Sequence, residues 1–255
     1  MKDSRKICLI TGASSGIGKN IAHEMVRRGW RVIAVARNKY KLDELAGLIG
    51  KDRFIPMVCD VGRFDDVKEI SNEIKNRDLY PELFFLNAGD GDIENDEVLD
   101  WDLHRKIFDV NYFGTISWIN QWLTPTKNRN GGIFVATSSL QSFRGMPGAA
   151  GYGASKSAIS HCFESLDAMY HKDNIRFLVV YPGPVDTAML KSDRPLPFTW
   201  KPEKAAKYIV KKVMKRITKI RFPFVWAMMV KMIGILPDEI YLRLFKMKSS
   251  KPVKY

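Results

Sequence analysis

Residues 7–18 read Ile7-Cys8-Leu9-Ile10-Thr11-Gly12-Ala13-Ser14-Ser15-Gly16-Ile17-Gly18, an apolar run that stops at a glycine-rich turn and enters a helical pattern. A short, unbroken apolar run bounded by a turn suits a strand buried on both faces. Glycines let the backbone turn tightly and approach a bound group closely. The N–H groups that open the next helix then suit a pyrophosphate. Glycine occurs at many strand–helix junctions for geometry alone, so the position between strand and helix gives the motif its meaning. Gly12, Ser14, Ser15, Gly16, Ile17 and Gly18 are the expected phosphate-binding residues.

Outward from this stretch, further runs of the same kind occur at Val32–Val35, Phe54–Val58, Leu83–Leu86, Gly132–Thr137 and Ile175–Tyr181. Helix-length patterns separate them at Gly18–Arg28, Lys39–Ile49, Asp65–Lys75, Trp101–Trp122 and Ser155–Tyr170. Apolar strands spaced by helices imply parallel strands joined by right-handed crossovers. The expected fold is α/β, a doubly wound parallel sheet of the Rossmann type in a single domain. No internal repeat, low-complexity tract or Gly/Ser linker interrupts it. A chain of 255 residues buries roughly 70–75% of its unfolded surface and needs no disulfide or metal staple. Cys8, Cys59 and Cys162 lie far apart in apolar runs and read as buried, reduced thiols, and no spacing suggests a metal site. The apolar run after Met1–Lys6 is too short for a secretory signal, so a cytoplasmic location is expected.

The formal net charge of +13 is unevenly spread. Residues 201–255 hold 15 Lys or Arg against 3 Asp or Glu, whereas residues 1–200 hold 26 against 25. The chain therefore divides into a Rossmann dinucleotide-binding and catalytic part, 1–200, and a basic, apolar C-terminal helical extension of the same domain, 201–255. Within the extension, Lys201–Arg221 carries lysines at helical spacing, and Phe222–Val230 is uninterrupted apolar before Lys231. The apolar segment ends at Pro237, short of the ~20 residues that span a bilayer. Flanking cations and Trp226 suit the interfacial plane, as a peripheral contact with the inner, anionic face of a membrane. The same residues read equally as a helix pair over a substrate cleft or as a homodimer interface. Nucleic acid is not an expected partner, because the basic face lacks interleaved aromatics.

At the end of the second strand stands Ala34-Val35-Ala36-Arg37. A carboxylate here would bind ribose hydroxyls, whereas an arginine suits a 2′-phosphate. Ala36 followed by Arg37 therefore points to NADP(H), with a solvated arginine at a strand end as the plain alternative. Asp60, after the third strand, either accepts from an adenine amino group or caps a turn. Asn87-Ala88-Gly89, ending the fourth strand, reads by itself as an Asx turn. Tyr152 and Lys156 stand four residues apart at the start of a helix, on one face. A nearby cation lowers the pKa of a phenol and makes it a usable acid–base group. Ser139 follows the fifth strand, where its hydroxyl can bond a substrate oxygen or cap the strand.

Taken together and in order, Thr11–Gly18, Asn87–Gly89, Asn111, Ser139, Tyr152 with Lys156 and Pro182-Gly183 resemble the short, single-domain short-chain dehydrogenase/reductases over about residues 5–190. The resemblance implies hydride transfer between a nicotinamide cofactor and a small carbonyl or alcohol substrate. Tyr152 is then the acid/base, Lys156 lowers its pKa and holds the nicotinamide ribose, and Ser139 polarises the substrate oxygen. Asn111, on the long helix after the fourth strand, would hold a water leading from Lys156 to solvent. Asp60 with Val61, and Asn87, Ala88 and Gly89, would line the cofactor; Pro182, Gly183, Val185 and Thr187 would line its carboxamide. Members that carry such tails at membranes reduce lipophilic ketones, which implies a greasy substrate. Many NADP-binding members have a basic residue where this chain has Ser15, so Arg37 carries that inference. The acyl-carrier-protein reductases of the family end in a short strand and a Gly-Gly tail; neither is read here. A second function class is an NADP-binding sensor that uses its basic tail at a membrane surface, but a sensor has no need of the acid–base set. The loop Ala188–Thr199 is expected to close on the substrate.

Overall fold

The computed structural model describes residues 5–91, 99–190 and 196–246. β1 (Ile7–Thr11) passes through the glycine turn into α1 (Gly16–Arg27), followed by β2 (Arg31–Ala36), α2 (Lys39–Ile49), β3 (Phe54–Val58), α3 (Phe64–Asn76) and β4 (Leu83–Leu86). Then come α4 (Trp101–Phe108), a π-helical turn (Asp109–Phe113), α5 (Gly114–Lys127), β5 (Gly132–Thr137), α6 (Ala150–Tyr170) and β6 (Ile175–Pro182). The described chain closes with α7 (Pro202–Val213), β7 (Lys219–Phe222), α8 (Phe224–Gly234) and α9 (Asp238–Lys246).

The strands form one seven-stranded parallel sheet in the order β3-β2-β1-β4-β5-β6-β7. Successive residues of a strand enter opposite cores: Cys8 and Ile10 lie in one apolar cluster and Leu9 in the other, and Val32 and Ala34 oppose Ile33 and Val35. With both faces buried, the runs show no polar alternation. Ile21 and Met25 of α1, Leu42 and Leu45 of α2, and Ile209 and Val213 of α7 cover one face. Val67 and Ile74 of α3, Trp118 and Trp122 of α5, and Ile159 and Phe163 of α6 cover the other. Strand order reverses between β1 and β4, so a crevice opens there beyond their carboxyl ends.

Three readings need correction. The stretch Trp101–Trp122 is not one helix, because α4 and α5 are separated by the π turn that carries Asn111. A Cβ on Gly114 would lie 2.6 Å from the Val61 carbonyl oxygen, so α5 starts in backbone contact with the loop after β3. Hydrophobic periodicity does not reveal the extra residue of a π turn, a feature frequent at functional sites. Second, Lys219–Phe222 is not part of a lysine-rich helix. It is a seventh strand, parallel to β6, with Ile220 and Phe222 buried and Lys219 and Arg221 exposed. This strand is followed by α8 and α9. Third, Cys162 is only half-buried, unlike Cys8 and Cys59. Among the described residues no helix is long and apolar enough to cross a membrane.

Candidate active site

The turn after β1 uses glycine where nothing else fits. Gly12 and Gly16 have φ of +66° and +52°, left-handed values that cost a side chain dearly. A Cβ on Gly12 would lie 3.0 Å from Ala88 Cα, and one on Gly18 would lie 2.3 Å from the Gly12 carbonyl oxygen. Ser14 is half-buried and Ile17 packs on the core. Ser15 is the N-cap of α1, and its hydroxyl accepts no bond from the first turn, which leaves those N–H groups for an anion. This cradle fits a dinucleotide pyrophosphate.

Asn87 is not an Asx turn but a tie between strand ends. Its N–H and that of Ala88 donate to Thr11 Oγ1 at 2.9 and 3.0 Å, and Thr137 Oγ1 donates to Asn87 Oδ1 at 3.1 Å. Thr11 and Thr137 went unnoticed in the sequence, where a threonine at a strand end has no distinguishing signal. Asp60 Oδ1 accepts from Gly62 N at 3.0 Å, the turn-capping alternative, and Val61 beside it is buried. Arg37 extends into solvent beyond buried Ala36 and makes no hydrogen bond or ion pair among the described residues.

Across the crevice, α6 begins two residues before Tyr152 and carries Lys156 one turn later. Ser139, whose Oγ accepts from Gln141 N at 3.1 Å, neighbours the Tyr152 hydroxyl. Burial pushes the Tyr152 phenol above its ordinary pKa, partly offset by Ser139. Burial pushes the Lys156 ammonium down to about 8. Lys156 Nζ donates to the Thr137 carbonyl at 2.8 Å and lies 5.7 Å from the Tyr152 ring centre. The expected lowering of the phenol by the ammonium is therefore absent in the free protein, where desolvation wins.

Asn111 is spoken for. Its Oδ1 accepts from Asp90 N at 2.8 Å, and its Nδ2 donates to Asp90 O at 2.9 Å and to Ser155 Oγ at 3.0 Å. Its backbone carbonyl accepts from Thr115 Oγ1 at 3.1 Å. A Cβ on Gly89 would lie 3.1 Å from Asn111 Oδ1 and 3.2 Å from Lys156 Nζ. Glycine there lets the end of β4, the π turn and α6 meet.

The remaining walls come from the loops after β5 and β6. Pro182 ends β6, and the Gly183 N–H donates to Phe222 O at 2.7 Å. Val185 is buried, while the Thr187 methyl lies against Gly16. Met189 packs on Gly91, which also touches the Tyr152 ring edge. Of the loop Ala188–Thr199, residues 191–195 lie outside the described residues. α8 lies over this end of the sheet. Trp226, Ala227 and Val230 pack against the core, and Trp226 Nε1 donates to Pro197 O at 2.7 Å. α9 grips the loop before α6 through Arg144 with Asp238 and through Tyr241 with the Gly145 carbonyl. Trp226, expected to face lipid, therefore faces the protein, while Phe224, Met228, Met232 and Ile235 remain exposed.

A crevice at the switch point of a doubly wound sheet is where proteins of this architecture hold dinucleotides. Residues 6–196 match the short chain dehydrogenase family. The chain belongs to this family and is an oxidoreductase of the short chain dehydrogenase type. It is 31% identical to an uncharacterized oxidoreductase of Myxococcus xanthus over 245 residues, which cover 93% of this chain and 95% of that one. It is 30% identical to 11-beta-hydroxysteroid dehydrogenase A of Sesamum indicum over 72% of this chain, which spans 53% of that longer protein. Its structure resembles an alcohol dehydrogenase of the archaeon Thermococcus sibiricus complexed with 5-hydroxy-NADP. The TM-score is 0.78 and the identity 26%, over 88% of this chain and 98% of that one.

Proposed function

We propose that the protein is an NADP(H)-dependent oxidoreductase that interconverts a lipophilic ketone or aldehyde with its alcohol. The observation that carries this reading is the placing of Tyr152 one helical turn before the buried Lys156, whose Nζ is held at 2.8 Å by the Thr137 carbonyl, beside Ser139 and facing the glycine turn across the crevice. When bound, the nicotinamide supplies or accepts the hydride. Tyr152 gives its hydroxyl proton to the substrate oxygen in reduction and takes it back in oxidation, while Ser139 donates a hydrogen bond to the same oxygen. Lys156 and Tyr152 hold the nicotinamide ribose, and Pro182, Gly183, Val185 and Thr187 surround the carboxamide. Asn111 fixes the loop that follows β4. The free guanidinium of Arg37 and the absence of a carboxylate at Ala36 support a 2′-phosphate. The 5-hydroxy-NADP of the Thermococcus protein is in keeping with it.

Two predictions belong here. The Lys156 ammonium, held down to about 8, loses its charge as pH rises through that value. NADP(H) affinity is then level below about pH 8 and falls by up to about tenfold per pH unit above it, because the ribose-holding donor is lost. Fluorescence titration across pH checks this, and Lys156→Met should flatten the curve. A wild-type affinity that stays level well into alkaline solution removes Lys156 from the ribose site.

The second concerns the outer surface. Phe143, Met189 and Phe198 are exposed on the loops that frame the crevice, next to the bare face of α8. The steroid dehydrogenase name of the sesame relative is in keeping with a greasy substrate. We read the bare face of α8, with Lys231 and the cations around it, as a peripheral contact with anionic membrane. Each cation near such a surface contributes about 1 kcal/mol, weakened by salt. The protein should float with phosphatidylserine vesicles at low salt, and high salt or Met228→Glu with Met232→Glu should abolish this. Truncation at Arg221 is no substitute, since it removes Phe222, which is 1% exposed in the core. Protein that stays in solution with those vesicles at low salt overturns the membrane contact. The catalytic reading itself is tested by NADPH consumption with steroid, acyl and sphingoid ketones. Turnover of any of them with NADPH supports it, and its absence across all three classes counts against a lipophilic carbonyl.

A further inference from the structure

Three buried serines lie in or against α6, and the chemistry proposed above uses none of them. Ser138, Ser155 and Ser160 are 2%, 0% and 6% exposed. A buried hydroxyl costs free energy unless it is bonded, and alanine would fill the same space without that cost. What the hydroxyls bond is specific. Ser155 Oγ donates to the Tyr152 carbonyl at 2.8 Å and accepts from Asn111 Nδ2 at 3.0 Å. Ser138 Oγ, on the chain leaving β5, reaches the Lys156 carbonyl at 2.8 Å. Ser160 Oγ reaches that carbonyl at 2.7 Å and lies 2.8 Å from Ser138 Oγ.

A serine bonding back to the carbonyl three or four residues earlier is ordinary helix behaviour, which accounts for Ser160 and half of Ser155. The long-range bonds have no such explanation. Asn111 to Ser155 joins residues 44 apart in the chain, and Ser138 to Lys156 joins residues 18 apart. The first ties α6 to the π turn and, through Asn111, to the Asp90 backbone after β4. The second ties α6 to the chain that carries Ser139. Both ties reach α6 at the carbonyls of Tyr152 and Lys156, the two residues whose side chains must face the crevice. Lys156 is held to the end of β5 twice, by its carbonyl through Ser138 and by its Nζ through Thr137. The carbonyls already serve the helix ladder, so these extra bonds act on the rotation of the helix about its axis more than on its existence.

We infer that Ser138 and Ser155 are positioning residues that set the rotation of α6, and so the aim of Tyr152 and Lys156 into the crevice. The inference rests on the catalytic reading of those two side chains. Ser138→Ala and Ser155→Ala should each lower kcat by at least about tenfold, since small misplacements of reacting groups are costly. KM for the carbonyl substrate should change less than about twofold, and NADP(H) affinity should fall less than kcat does, because the glycine turn is untouched and only the ribose contact of Lys156 is loosened. In Ser138→Ala the alkaline fall in cofactor affinity should move to higher pH, as water reaches a loosened Lys156. Ser138→Thr, which keeps a hydroxyl, should restore most of the rate. Ile159→Val serves as the comparison, because Ile159 is 1% exposed on the same helix and takes no part in these bonds. It lowers Tm through packing alone and should keep wild-type kcat and pH dependence. Serine variants that lose Tm like Ile159→Val while keeping kcat and the pH profile overturn the inference. If Tyr152→Phe is inactive in the same assays, that result leaves the catalytic reading standing. If Tyr152→Phe is active, the catalytic reading has failed first.

Discussion

Tyr152→Phe should remove most turnover while leaving dinucleotide binding nearly intact. The substitution deletes one hydroxyl and keeps the ring, so the packing of α6 on the sheet is preserved. What disappears is the group that moves a proton to the substrate oxygen. Loss of one positioned acid–base group costs ~10²–10⁴ in rate. The expected result is a kcat lowered in that range, with the NADP(H) dissociation constant within a few-fold of wild type. Because burial holds the phenol above its ordinary pKa in the free protein, Tyr152 is protonated throughout neutral pH. It is thereby ready as a proton donor, which favours reduction as the direction assayed first. Steady-state kinetics beside equilibrium cofactor titration decide the matter. Turnover within a few-fold of wild type sinks Tyr152 as the proton donor.

The second large effect is on cofactor choice. Ala36→Asp combined with Arg37→Leu should reverse a preference for NADPH into one for NADH. A hydrogen bond to a charged group contributes about 1.5–3 kcal/mol, so losing the guanidinium alone weakens NADPH by roughly 10–100-fold. The new carboxylate repels a 2′-phosphate and offers ribose hydroxyls an acceptor. Arg37 is exposed and has no ion-pair partner among the described residues, so Arg37→Leu should leave folding alone, whereas Ala36 is buried and Ala36→Asp should lower Tm, which is measured beside the titrations. Dissociation constants for both cofactors, measured at one stated salt concentration, test it. Wild-type protein that binds NADH as well as NADPH removes the role of Arg37.

How much of this was visible in the sequence depends on the distance over which each feature is determined. Six strands announced themselves because each is buried on both faces by its own apolar residues. β7 did not, because only Ile220 and Phe222 face inward and the exposed Lys219 and Arg221 blend into a lysine-rich stretch. Its strand character comes from pairing with β6, which is 37 or more residues earlier in the chain. The glycine turn was legible because steric demand falls on those residues themselves. The roles of Thr11 and Asn87, 76 residues apart, were not, since a hydroxyl at a strand end looks alike whether or not it has a distant partner. Tyr152 and Lys156 are legible as a pair, whereas the burial that raises the phenol is not. Proximity along a helix predicts a charge effect, whereas burial, which prevails here, appears only when the other elements close around it.

The sheet's order of strands also dictates how the chain meets itself during synthesis. β1 is made before the other strands of this sheet yet ends in its middle, with β2 on one side and β4 on the other. The growing chain can give it one neighbour early, but its second flank stays bare until Leu83–Leu86 arrive. A flank of unpaired backbone on an apolar strand is an adhesive surface. Nascent chains halted before that point should therefore stick to one another or to a chaperone. β7 and α8, made after the other six strands, complete the wall beside Gly183, so this pocket closes only after the rest of the sheet has been made.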